Sequence, residues 1–286
     1  MEATIRPVQD ADIEACGRII FEAFDGIAAA HGHSSPFPTV EDGIQLARAR
    51  IMRPSVYGVA EQDGQIVGSG FLSEGDPIRG VGPITVSPSI QQRGIGRQLM
   101  HAVMERARGA ISMRLIQDAV NTASMALYAS LGFDVKEPLV QMIGTPRGQS
   151  LDGAEVRPMV ADDLDACVAL GARVLGFERR EDLQDALEAI SPVVVVRSGR
   201  ITAYVSAMPV TPQAHAVAAT VEDLGALLIG AAGLSGAPLT FLLPTRQAES
   251  FRWCLRAGLR AVRPMTLMTM GAYQEPEGCY LPSSVY

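Results

Sequence analysis

The sequence predicts an α/β protein of three-layer α+β type, built as two tandem copies of one unit, each around a central mixed, mostly antiparallel sheet. Three observations predict it. A strand with β-branched residues, Pro83-Ile84-Thr85-Val86, passes through the glycine-bearing turn Arg93-Gly94-Ile95-Gly96-Arg97 into an amphipathic helix. Around it the elements come in the order strand, helix, helix, antiparallel meander, that strand and helix, then strand, helix, strand. Beyond residue 153 the chain restarts: Val156-Arg157-Pro158-Met159 with Asp163 and Cys167 repeats Ile5-Arg6-Pro7-Val8 with Asp12 and Cys16, each 151 positions on.

Each element has a local reason. Residues 4–8 alternate as an opening strand, and Asp10-Ala11-Asp12 caps a helix whose apolar face is Ile13, Cys16, Ile19, Ile20, Ala23 and Phe24. Gly32, Pro36 and Pro38 make residues 31–38 a loop, and a second helix runs from Val40 to about Met52. Val56-Tyr57-Gly58-Val59-Ala60 and residues 65–72 flank Asp63-Gly64, a hairpin turn signal. The helix that opens at Gly96 reaches about Ala107, Met113 to Asp118 is a strand, and a helix follows Asn121 until Gly132 stops it. A last strand runs from Phe133 toward Met142, and the polar, turn-rich stretch Thr145 to Ser150 is a linker. The expected organisation is therefore residues 1–144, a linker at 145–153, and residues 154–286.

Size and charge narrow the function. At 286 residues and 48% hydrophobic content the chain can fill two cores. Its net charge is −7, Lys136 is its one lysine, and the arginines form no run, which argues against nucleic-acid binding. Cys16, Cys167, Cys254 and Cys279 form no C-x-x-C pair and have no histidine at ligand spacing, so no metal is expected. The first three sit in apolar helical patterns and read as small buried hydrophobes, which fits a reducing compartment. The N-terminus has no apolar signal core, and the most apolar window, Leu224 to Leu234, is about half the ~20 residues of a membrane span. A soluble cytoplasmic protein, monomer or homodimer, without membrane contact is expected.

The chemistry lies in the glycine turn. Two residues without a Cβ let successive backbone N–H groups converge, and the helix adds its unpaired N–H groups and positive dipole end, so the guest is an anion such as a phosphate. No Gly-Lys-Ser/Thr follows and no G-x-G-x-x-G is present, which excludes a nucleoside-triphosphate loop and a dinucleotide fingerprint. The spacing Gln91-x-x-Gly94-x-Gly96 after an I-x-V-x-P strand, together with Asn121-x-x-Ser124-x-x-Leu127-Tyr128-x-x-Leu131-Gly132-Phe133, resembles the GCN5-related N-acetyltransferases over nearly all of residues 3–144.

That resemblance implies acetyl-CoA as cofactor and an amine of a small molecule or peptide as acceptor. It places the pyrophosphate at Gln91, Gln92, Arg93, Gly94, Ile95, Gly96 and Arg97, and pairs the pantetheine arm with the backbone of Ile84 and Val86 where their strand parts from its neighbour near Val86. It implies further contacts at Asn121 and Ser124, carbonyl polarisation by the Val86 amide, and Tyr128 as the acid that protonates the departing thiolate. For the base, Glu74, Asp76, His31 and His33 lie in acceptor-side loops, and proton loss through ordered water needs no side chain.

The second copy reads as degenerate. Around Ala219 to Leu224 there is no glycine turn, Glu222-Asp223 would face the phosphates, and Cys254 stands 126 positions beyond Tyr128, as Gln247 does beyond Asn121. A non-catalytic coenzyme A binder with the second half as an interaction module is the alternative. The tail from Gly271, with three tyrosines, is expected to dock on a domain face, either beside the acceptor cleft or on its own sheet.

Overall fold

The computed structural model describes residues 4–53, 58–62, 64–91, 93–148 and 151–285; of the positions singled out above, Val56, Tyr57, Asp63, Gln92, Gln149, Ser150 and Tyr286 lie outside them. In the first half, β1 (Thr4–Arg6) leads through a 3-10 turn at Asp10–Asp12 into α1 (Ile13–Ala30) and α2 (Val40–Ile51). The meander β2 (Val59–Gln62), β3 (Gln65–Ser73) and β4 (Ile78–Val86) follows, then α3 (Ile95–Arg106), β5 (Ser112–Asp118), α4 (Thr122–Ser130) and β6 (Asp134–Gly144). The second half runs β7 (Ala154–Pro158), α5 (Leu164–Leu175), α6 (Arg180–Ala189), β8 (Val193–Arg197), β9 (Arg200–Val205), β10 (Ala216–Ala218), α7 (Val221–Ser235), β11 (Leu239–Pro244), α8 (Ala248–Arg256), β12 (Arg260–Gly271) and β13 (Cys279–Leu281).

The internal repeat extends to individual hydrogen bonds. Arg6 donates to both oxygens of Asp12 (2.7 and 2.9 Å), and Asp12 accepts from the Gln9 amide. Arg157 does the same to Asp163 (2.6 and 2.9 Å), which accepts from the Val160 amide. In each copy the arginine holds its carboxyl below the usual carboxylate range.

The sheets do not follow the halves. One sheet has eight strands in the order β1-β2-β3-β4-β5-β12-β6-β11, and the other has five in the order β13-β10-β9-β8-β7. Strand β12 of the second half enters between β5 and β6, while β6 of the first half lies between β12 and β11. Each half thus lends its sixth strand to the other. The exchange is symmetric: Asp134 pairs with Thr269 and Ile143 with Arg260, and 260 − 134 equals 269 − 143. Cores follow the exchange, because Met268 packs with Leu115, Tyr128 and Phe133, while Val140 and Met142 join a cluster of second-half residues around Phe241.

Helices α1 and α2 cross where glycines let them. A Cβ on Gly17 would lie 2.4 Å from the Ile44 Cα, and one on Gly43 would lie 2.5 Å from the Gly17 carbonyl oxygen. The tail carries β13, a strand that sequence reading left undefined because Cys279-Tyr280-Leu281 is too short for a periodic signal. It lies on its own half's sheet and also touches the first half. Strand β13 pairs with β10 of its own half, and farther on the Ser73 hydroxyl donates to the Val285 carbonyl (3.2 Å) across the halves.

Candidate active site

Strands β4 and β5 are parallel neighbours only from Ile78/Ser112 to Val81/Leu115. Beyond Val81 they part. The β3–β4 register shifts between Leu72/Val81 and Gly70/Ile84, a bulge that falls on Gly82-Pro83, and Pro83 has no N–H to offer a neighbour. Sequence reading put the parting near Val86; it begins at Gly82, so Ile84 and Val86 both line the gap. Ladder phase decides where their amides point. The Ser87 amide donates to the Val67 carbonyl (2.9 Å), so in the alternating pattern Thr85 is the next residue bonded to β3, and the N–H groups of Ile84 and Val86 turn toward the gap.

At the end of β4 the chain turns into α3 through Gly94, whose φ of 86° is left-handed. Among the described residues no side chain caps this helix. Helices α2, α4 and α7 are capped by Thr39, Asn121 and Thr220, whereas the first N–H groups of α3 face outward, and a Cβ on Gly94 would meet nothing within 4 Å. Buried Ile95 anchors the turn against a cluster with Leu99 and Val86, and a Cβ on Gly96 would lie 3.6 Å from Leu127 Cδ2. Arg93 is exposed beside the turn, and the exposed Arg97 reaches α4, donating to the Ser130 hydroxyl (2.7 Å). Gln91 is held elsewhere: its side-chain amide donates to the Val86 carbonyl (3.1 Å) and braces the loop.

On α4, the Asn121 side chain accepts from the Ser124 amide (3.1 Å), and the Ser124 hydroxyl donates to Gln117 (2.9 Å). Tyr128 is 8% exposed and packs edge-on to Phe133 at 6.3 Å. Burial pushes its phenol up to about 12, so it carries its proton at neutral pH.

The acceptor-side residues are scattered. Glu74 sits in a two-pronged pair with Arg106 (2.8 and 3.0 Å), in the last turn of α3 and about 15 Å of helix from the glycine turn. Glu74, listed from sequence as a candidate base, is thus engaged by Arg106 at the far end of α3 from the glycine turn. Asp76 accepts from the Glu181 amide at the start of α6 (3.3 Å), and burial raises it to about 6. The His31 ring lies 2.9 Å from the Ile27 carbonyl. Sequence reading missed Asp118 at the end of β5 and Arg263 on β12. Arg263 Nε lies 3.4 Å from Asp118 Oδ1 and its Nη2 donates to the Ser34 carbonyl (2.8 Å). The alternation of β5 carried a signal for Asp118; only the strand exchange brings Arg263 here.

The second half fills the same positions with its own atoms. Eight residues join β4 to α3, but only Ala219 and Thr220 join β10 to α7. Where an anion would sit, the fully buried Asp223 carboxylate accepts from Arg197 (two bonds, each 2.9 Å), Thr202 (2.9 Å) and Thr220 (2.8 Å). Strand β13 lies along β10, and Gln247, the counterpart of Asn121, bonds the Tyr280 backbone at both N–H (3.1 Å) and C=O (2.9 Å). Cys254 is fully buried, and burial pushes its thiol up to about 12. All four cysteines are buried and free, and among the described residues no His/Cys/Asp/Glu group could hold a metal and no helix is long and apolar enough to cross a membrane.

Comparison with known proteins follows this division. Residues 22–133 match the model of the acetyltransferase (GNAT) family. A mycothiol acetyltransferase of Clavibacter michiganensis subsp. michiganensis is 30% identical over 180 residues, 57% of this chain and 54% of that protein. The chain spans about half the length of the curated mycothiol acetyltransferases it matches. A Pyrococcus horikoshii protein solved as a candidate acetyltransferase superposes with a TM-score of 0.74 at 17% identity, covering 100% of this chain and 93% of that one. A tandem GNAT protein of the clavulanic acid biosynthesis pathway gives 0.58 at 14% identity, over 96% of this chain and 100% of that one. These two likenesses show the tandem fold.

Proposed function

Residues 22–133 match the GNAT acetyltransferase family, and on that premise we propose that the chain moves an acetyl group from acetyl-CoA to the primary amine of a small molecule or peptide, by direct attack in a ternary complex. One contrast carries the reading. The N-terminus of α3 is open and uncapped beside a parted strand, whereas its counterpart α7 is closed by Asp223 and its gap by β13. One coenzyme per chain, bound in the first half, is the consequence.

Acetyl-CoA supplies an activated acetyl group as a thioester. The N–H groups of Gly94, Ile95, Gly96 and Arg97 would hold its pyrophosphate, helped by the helix dipole and the charge of Arg93. The inward amides of Ile84 and Val86 suit the amides and carbonyl of the arm. How Gln247 grips the Tyr280 backbone supports an equivalent grip by Asn121 on an amide of the ligand. Tyr128, protonated at neutral pH, would be the donor to sulfur.

Titration calorimetry with acetyl-CoA should give a stoichiometry near one. Gly94→Glu, which sets a side chain and a negative charge before the open N–H groups, should abolish the heat; the left-handed φ there should also lower the melting temperature modestly, so binding is read where the variant is folded. Two sites per chain, or undiminished binding by the variant, would refute the reading.

A further inference from the structure

Side chains of β5 alternate between the faces of the sheet. Met113 and Leu115 pack in the core with Tyr128, and Gln117 bonds Ser124 of α4, so Asp118 faces the other way, toward α1 and α2. It lies on the parted stretch of β5, beyond the last β4 pair at Leu115. The loop after α1 roofs it, because Arg263 beside Asp118 donates to the Ser34 carbonyl. Asp118 is only 8% exposed, yet among the described residues its Oδ1 accepts no hydrogen bond; Arg263, 3.4 Å away, supplies charge without bond geometry. A buried carboxylate short of donors is an incomplete arrangement, and a primary ammonium with three N–H groups completes it.

We propose that Asp118 receives the acceptor's amine on the α1–α2 side of the gap, with Arg263 of the exchanged strand positioning its carboxylate, so that the acceptor pocket is built by both halves. This rests on the reading of the gap as an acetyl-transfer site. The glycine turn and Tyr128 lie on the α3–α4 side, so amine and thioester meet from opposite faces. Asp118 takes one proton from the ammonium, and the freed nitrogen bonds the acetyl carbon as the carbon–sulfur bond breaks. Tyr128 gives its proton to sulfur and regains one from the new amide nitrogen; Asp118 then releases its proton to solvent. Burial raises the Asp118 carboxyl above its ordinary value against the opposing pull of Arg263, His33 and His31, which suits a proton acceptor.

The test uses the full-length protein, acetyl-CoA, and spermidine, glucosamine and an alanyl peptide as acceptors, read by thiol release. Asp118→Asn should lower kcat/KM for the best amine by about a hundredfold or more, with acetyl-CoA binding unchanged by calorimetry. In the unaltered protein, kcat/KM corrected for amine ionisation should fall on acidification with an apparent pKa above the usual carboxylate value. That limb should vanish in Asp118→Asn and shift in Arg263→Gln, and Asp118→Glu should restore part of the rate. Normal kcat/KM in Asp118→Asn overturns the proposal, as does an unaltered enzyme that binds acetyl-CoA but acetylates none of these amines. Should Asp118→Asn fail to fold, the profile of the unaltered enzyme decides alone, and absence of the acid limb overturns it. Failure of the unaltered protein to bind acetyl-CoA would instead overturn the parent reading.

Discussion

At the residue scale, Tyr128 offers the cleanest test. Its ring is needed for the core with Phe133 and Met268, whereas only its hydroxyl can donate a proton. Tyr128→Phe should therefore lower turnover roughly ten- to a thousand-fold with little change in acetyl-CoA binding by calorimetry. Unchanged turnover, with chemistry rate-limiting, would remove the hydroxyl from the mechanism. Asp76 gives a prediction about stability. Its folded-state carboxyl is raised to about 6 against an ordinary value near 4, so the folded state binds the proton more tightly and gains stability as pH falls from about 6 to about 4. Asp76→Asn should flatten that window and leave the melting temperature at pH 7 equal or higher; a steeper loss at neutral pH would contradict it. The places of Tyr128 on a helix and of Gly94 in a helix-opening turn were legible in sequence because their signal is local spacing. Glu74 and Gln91 were not, since their partners, Arg106 and the Val86 carbonyl, are chosen by packing.

At the element scale, α3 and α7 show how one helix end can be kept open or closed. An N-terminus leaves about four N–H groups without partners; in α7 the Thr220 hydroxyl accepts from one of them, the Asp223 amide, and beside it lies a buried carboxylate that Arg197 neutralises. Asp223→Ala would leave Arg197 and the hydroxyls of Thr202 and Thr220 without their acceptor, and should cost roughly 2 kcal/mol or more in chemical denaturation. The loss of the glycine turn was plain from residues 219–224, but that Asp223 replaces the anion depended on Arg197, supplied by a different strand. Strand β13 escaped sequence reading for a similar reason. Its identity as a strand comes from β10 and from Gln247, not from its own three residues. Truncation after Met270 should therefore lower the melting temperature clearly while acetyl-CoA binding persists, and an unchanged melting curve would mean that β13 adds nothing to the second sheet.

At the scale of the whole molecule, the repeat was legible from residues 5–16 against 156–167, whereas the exchange of β6 and β12 was not. Both strands have the alternation of any half-buried strand, and nothing in that pattern names the neighbour. The consequence for dissection is direct. A fragment of residues 1–144 keeps the glycine turn, Asn121 and Tyr128 but lacks the strand between β5 and β6, and Met268 beneath Tyr128. It should be insoluble or fail to bind acetyl-CoA, and co-expression with residues 145–286 as a separate chain should restore binding. A soluble fragment that binds and turns over at the full-length rate would show that the exchanged strand is dispensable.

The crossing of β6 and β12 also sets a clock on synthesis. Translation delivers the glycine turn and Tyr128 within the first 128 residues, but the sheet that carries them stays incomplete until residue 271 has been made. For that interval β5 and β6 each present an unpaired edge, which a nascent chain can satisfy only by waiting or by pairing with a neighbour. A ribosome that stalls inside the second half thus releases a polypeptide holding every residue of the coenzyme turn without the strand that completes its sheet. Completion of the message is thereby coupled to assembly of the site, and an interrupted product carries those open edges.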